Sequence, residues 1–126
     1  MKTFLISIPQ NNQKTAVAFE DVFVQLHETL RYGKASFEIV ATGQNVAFCF
    51  SADQNQAEVI IGQVYAIAPD ADITEVPDLT KNIPANSDFV TAEISLRRVD
   101  LFPLKDYRSF DGDSLAGVLS VLSKCI

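Results

Sequence analysis

An α+β fold, an antiparallel sheet with two helices on one of its faces, is predicted by three observations. Over about residues 1–77 the apolar pattern switches between a period of two and spacings of three and four, in the order strand, helix, strand, strand, helix, strand. Both helical stretches carry one apolar stripe, as packing on one side of a sheet requires. The connections between them are short. That order is the split βαβ, or ferredoxin-like, arrangement, and an extra C-terminal strand and helix are expected after it.

The first strand is "TFLISI", residues 3–8, rich in β-branched and aromatic types and stopped by Pro9. The polar "QNNQK" is a loop. From Thr15, the residues Ala16, Phe19, Phe23, Leu26 and Leu30 recur at helical spacing and define the first buried stripe, with Glu20, Gln25 and Glu28 left to water. Gly33 is the expected stop, since glycine enters the left-handed conformation without a Cβ penalty.

"SFEIVATGQNVAFCFSA" reads as a β-hairpin reversing at "TGQN". In its second strand Val46, Phe48 and Phe50 face one way, Ala47 and Cys49 the other. "SADQNQ" offers a capping box, with Ser51 or Asp53 as cap and Gln54 or Gln56 completing it. The second helix buries Ala57, Ile60, Ile61, Val64 and Tyr65 and ends before Pro69; "ADITEV" is a short strand closed by Pro77. The polar "DLTKNIPANSD" loop leads to "FVTAEISLRRV", in which Val90, Ala92, Ile94 and Leu96 alternate with Thr91, Glu93 and Ser95. This is expected to be a half-buried strand paired with the one around 71–76. After the irregular "DLFPLKDYRSF", a closing helix places Leu115, Val118, Leu119, Leu122 and Ile126 on one face.

At 126 residues, with 48% hydrophobic and 21% charged side chains, the chain fits a single domain with core about 1–77 and an extension about 88–126. Nine Phe supply bulk for one core. The net charge of −6 opposes direct nucleic-acid binding, because it repels phosphate backbones. Two cysteines, Cys49 and Cys125, suit reduced thiols in the cytoplasm rather than a disulfide framework. "MKTFLISIP" is interrupted by Ser7 and Pro9, too early for a signal peptide. No run approaches the ~20 apolar residues of a membrane span.

The chemical candidates are each weighed against a structural role. The acids of "DGD", Asp111 and Asp113, do not begin a calcium loop: counted from Asp106, the third position is Arg108 and the sixth Asp111, where a glycine is needed. They suit a helix start, with Asp111, Asp113 or Ser114 as cap. His27 could serve as a general base but has no evident nucleophile to serve, and reads as a partly exposed helical residue. Cys49, inside an apolar strand, reads as packed rather than nucleophilic, and two cysteines are too few for a structural zinc site. "RYGK" lacks the upstream glycine and the following Ser or Thr of a phosphate loop: Glu28 and Ala35 stand there. No catalytic residue, metal or cofactor is therefore expected. The one basic concentration, Arg97, Arg98, Lys105 and Arg108 with Tyr107 beside it, is a possible contact for a partner protein, or else a set of solvated charges.

"GQVYAIAPDADITEV", "FPLKDYRSF" and the "DSLAGVLSVLSK" helix resemble a domain that precedes the RecA-like DNA-pumping motor in bacterial type IV secretion and conjugation-type ATPases. The resemblance covers nearly the whole chain after residue 15. It implies a non-catalytic accessory module, which assembles with itself, the motor or other secretion subunits. The implied place is the cytoplasm, at the membrane face, with the membrane reached only through a neighbouring anchor. No motor residue carries over, because the nucleotide-binding positions do not occur in these 126 residues. The apolar stripe still running at "LSVLSKCI" agrees with a domain that continues into, or meets, something else. The alternative is a stand-alone ferredoxin-like domain that binds a small ligand or acts as a regulator.

Overall fold

The computed structural model describes residues 1–12, 16–30, 33–43, 45–97, 106–109 and 111–124. It is an α+β structure built on a four-stranded antiparallel sheet. In chain order the elements are β1 (Lys2–Ser7), α1 (Ala16–Thr29), β2 (Ala35–Thr42), β3 (Asn45–Ala52), α2 (Gln54–Ile67), β4 (Asp72–Val76) and α3 (Ala116–Leu122). The strands lie in the order β2-β3-β1-β4. β2 and β3 form the expected hairpin: Thr42 faces Asn45, and Gly43 makes the reversal with φ 59°, a conformation that side chains resist.

The register builds the core row by row. Phe4 faces Phe50, and Phe50 faces Phe37. The Phe4 and Phe50 rings stack with centroids 5.0 Å apart, and Phe37 tilts against Phe50 at 6.3 Å. Next along the strands, Ile6, Phe48 and Ile39 are cross-strand partners on the same face. Helix α2 closes over this face with Ala57, Ile60 and Val64 buried, while Ile61 packs partly and Tyr65 is exposed. On the opposite face the cross-strand partners Thr3 and Ser51 are buried and share a hydroxyl–hydroxyl hydrogen bond of 2.8 Å. Those two hydroxyls satisfy each other, which removes the cost of burying them.

Five expectations are corrected. First, the buried line of α1 runs through Val22 and Leu26, with Phe19 and Leu30 partly buried, and Phe23 is 55% exposed. The stripe sits one position away because α1 lies with Phe23 over the sheet margin, where its ring meets Phe37 edge-on at 5.2 Å. Second, α1 ends at Thr29, whose hydroxyl donates to the Gln25 carbonyl at 2.7 Å. Gly33 has no left-handed backbone; it leaves room for the Gln56 side chain, which a Cβ would meet. Third, no capping box opens α2. Ser51 continues β3 and spends its hydroxyl on Thr3, and the carboxylate of the cap residue Asp53 lies 3.6 Å from the amino terminus.

The fourth correction concerns the extra C-terminal strand. Residues 89–97 form no strand and pair with no strand of the sheet; among the described residues β4 pairs only with β1. Alternation orders side chains by face but supplies no ladder partner. Pro77 comes directly after β4, and a 3-10 turn at Leu79–Asn82, capped by Asp78, is succeeded by a second turn at residues 84–87. Two turns in succession do not make the single reversal that a hairpin with β4 needs. The closing helix does form, as the short α3, with Leu119 and Leu122 half-buried and no residue fully buried. The expected cap at Asp111, Asp113 or Ser114 is not found: the N-cap position is Leu115, with no side-chain cap hydrogen bond, and Asp113 accepts the Leu115 amide at 2.8 Å in the turn before the helix. Ile126 lies outside the described residues.

Candidate functional site

The helix face of the sheet is not filled along its whole length. Between α1 and the β2–β3 half of the sheet lies a cavity of about 380 Å³ that opens to solvent. Its floor is the row Ile6, Phe48 and Ile39; its roof is Phe19, Val22 and Phe23 of α1. Val64 of α2 forms the inner wall, and Ile8 and Leu115 stand at the rim with Phe37. Phe19 and Phe23 are four residues apart, so both reach down from one side of the helix. Leu115, just before α3, brings the extension of the chain to this same spot.

Glu38 and Cys49 also touch the cavity. They are cross-strand partners one step out of phase with Phe37 and Phe48, so the pleat sends their side chains to the opposite face and only their backbone borders the cavity. Among the described residues, then, the lining offers no polar side chain. In the floor, β3 is paired on both sides, with β1 and with β2, while β2 is the outer strand of the sheet. A surface of this kind can shed water from an apolar guest and do little else; it holds no acid, base or nucleophile.

Cys49 is buried, and its thiol is pushed above its ordinary value of 9.0, first by burial and then by the Glu38 carboxylate opposite. That is the environment of a packed, unreactive cysteine. His27 is exposed in the last turn of α1. Among the described residues, no three His, Cys, Asp or Glu side chains converge as a metal site would need, and no helix is long and apolar enough to cross a membrane.

Of the basic concentration, Arg97 and Arg108 fall among the described residues. Arg97 is exposed. Arg108, in the 3-10 turn Tyr107–Ser109, forms an ion pair with Glu20 of α1 and so ties the extension back to the first helix. Tyr107 opens that turn, but its side chain, with Arg98, Lys105 and Cys125, lies outside the described residues. Sequence reasoning missed the cavity because it assigned Phe48 and Phe23 to a filled core. The available signal was the surplus of rings: Phe19, Phe23, Phe37 and Phe48 stand in addition to the stacked pair Phe4 and Phe50. Comparison of the chain with protein-family descriptions, curated proteins and solved structures found no match.

Proposed function

We propose that this chain is a non-catalytic assembly module that works through protein–protein contacts. The observation that carries this reading is the segment 89–96. It forms no helix or strand and pairs with no strand of the sheet, with Phe89 77%, Val90 96% and Ile94 98% exposed. Apolar residues alternating along a segment outside the sheet suit addition, as a strand, to the edge of another protein's sheet, where the ladder supplies affinity and alternate side chains supply specificity. Arg97, at its end, would lie on the rim of such a contact.

The scaffold is read as ferredoxin-like. The order strand-helix-strand-strand-helix-strand, combined with the antiparallel spatial order β2-β3-β1-β4, supports that reading. The setting implied by the sequence resemblance is a type IV secretion or conjugation-type ATPase, with this module at the cytoplasmic membrane face beside the motor. A photo-crosslinking residue at Ile94, in cells that make the protein, is expected to trap a discrete protein partner. The same residue at the exposed Glu58 of α2 is expected to trap none. A RecA-like motor in the adduct would single out the secretion-type setting, and a second copy of this chain would support self-assembly alone; absence of an adduct, or equal trapping from both positions, overturns the assembly reading. A small-ligand role is favoured by a different observation, the cavity beneath α1.

A further inference from the structure

We propose that the cavity between α1 and the β2–β3 half of the sheet binds an uncharged, apolar small molecule of about two rings or the equivalent alkyl length. Size is the first argument. A cavity of ~150 Å³ lined by Leu, Ile and Phe accommodates benzene, so about 380 Å³ has room for about two such rings. It falls within the range of natural ligand sites.

Chemistry is the second argument, and it separates a small molecule from a peptide. A peptide threaded into the cavity would bring a backbone N–H and C=O with each residue. The described lining has no polar side chain to meet them, and the backbone of β3 in the floor is already paired on both sides. Unpaired buried amides are costly. A guest without polar groups incurs no such cost, and gains from contact with four phenylalanine rings, Phe19, Phe23, Phe37 and Phe48. Charge is excluded by the same reasoning: an ionised group would be desolvated against apolar walls, and an anion would also face a protein of net charge −6.

The third argument is architectural. The walls come from three separate regions: the sheet, both covering helices, and Leu115 of the extension. Phe23, Phe37 and Phe48 are each about half exposed, so apolar surface is held open at the mouth of a concave site rather than scattered over a convex one. This goes beyond the assembly reading and does not depend on it: the assembly contact lies on 89–96, and none of those residues lines the cavity.

The test is titration of the full chain with 1-fluoronaphthalene, a neutral two-ring probe followed by ¹⁹F NMR. Two filling variants accompany it: Ile39→Trp in the floor and Ile8→Trp at the rim. Saturable broadening at one site per chain is expected for the parent protein, with affinity weakened about tenfold or more in each filled variant. Naphthalene-2-sulfonate is expected to bind at least about tenfold more weakly than the neutral probe. If Ile39→Trp loses its thermal transition, Ile8→Trp carries the comparison, since Ile8 lies beyond the end of β1. Absence of saturable binding, equal affinity in a folded filled variant, or equal affinity for the sulfonate each overturns the proposal. So does a dimer of the parent chain that Ile8→Trp dissociates, because the cavity would then be covered by a second copy.

Discussion

Phe50 has no solvent-exposed surface and touches Phe4 on one side and Phe37 on the other. Truncating it removes the middle of an aromatic row that spans three strands, and strands in a ladder cannot close the gap. Phe50→Ala is expected to lower unfolding free energy by about 3–5 kcal/mol, read from urea denaturation; a loss below about 1 kcal/mol would show that the row is not the centre of the core. Cys49 sets a pH dependence. Its folded pKa lies above the ordinary 9.0, chiefly through burial, so the native state holds the thiol proton more tightly than the unfolded chain. Its contribution is therefore fully present below the unfolded thiol's pKa and declines as pH rises towards the folded value. Melting temperature should fall with alkaline pH in that window, and Cys49→Ser should flatten the fall. A Cys125→Ser protein should also react with a maleimide only as fast as it opens, and rapid labelling would contradict the buried placement. Arg108→Ala, by contrast, removes an ion pair whose side chains are 58% and 38% exposed, and such pairs contribute about 0–1 kcal/mol.

The elements differ in how much of them could be read from the sequence, and the difference has a physical cause. Strands β1 to β4 and both long helices were legible because each buries one face against another element of this chain, so its period is written in apolar residues. The hairpin turn was legible because Gly43 needs a positive φ. Features set by tertiary fit could not be read. The rotation of α1 that favours Val22 over Phe23 depends on where the sheet margin lies. The absent capping box depends on Ser51 finding Thr3 across the sheet. The cavity is the gap left by that same placement of α1, and no local pattern encodes a gap. Segment 89–96 is the sharpest case, since its alternation is real but no strand of the described sheet pairs with it. Ile94→Pro tests that directly. In a ladder, proline would remove a hydrogen bond and destabilise the protein. In an unpaired, exposed segment it should change stability by no more than about 0.5 kcal/mol, and a larger loss would restore the strand. The same variant should weaken the Ile94 contact with a partner, because strand addition uses the backbone N–H.

At the scale of the whole molecule, the described strands and the two long helices lie within residues 2–76, as do the buried residues of the hydrophobic core. Among the described residues after β4, none is fully buried. Among the described residues, the Arg108–Glu20 ion pair and Leu115 at the cavity rim join the extension to the rest of the chain. A layered core formed within one contiguous stretch can unfold cooperatively on its own, although a domain this small is near the lower limit of self-sufficiency. A chain ending at Ser87 is therefore expected to show one cooperative urea transition. Its dependence on denaturant should be close to that of the full chain, because that slope tracks the surface exposed on unfolding. Its affinity for fluoronaphthalene should fall, since Leu115 is lost from the rim while the floor and roof remain. The two readouts separate the role of the extension in the fold from its role at the cavity. A collapsed slope or a lost transition would mean that the extension shares the core. An unchanged affinity would mean that Leu115 only borders a site complete without it.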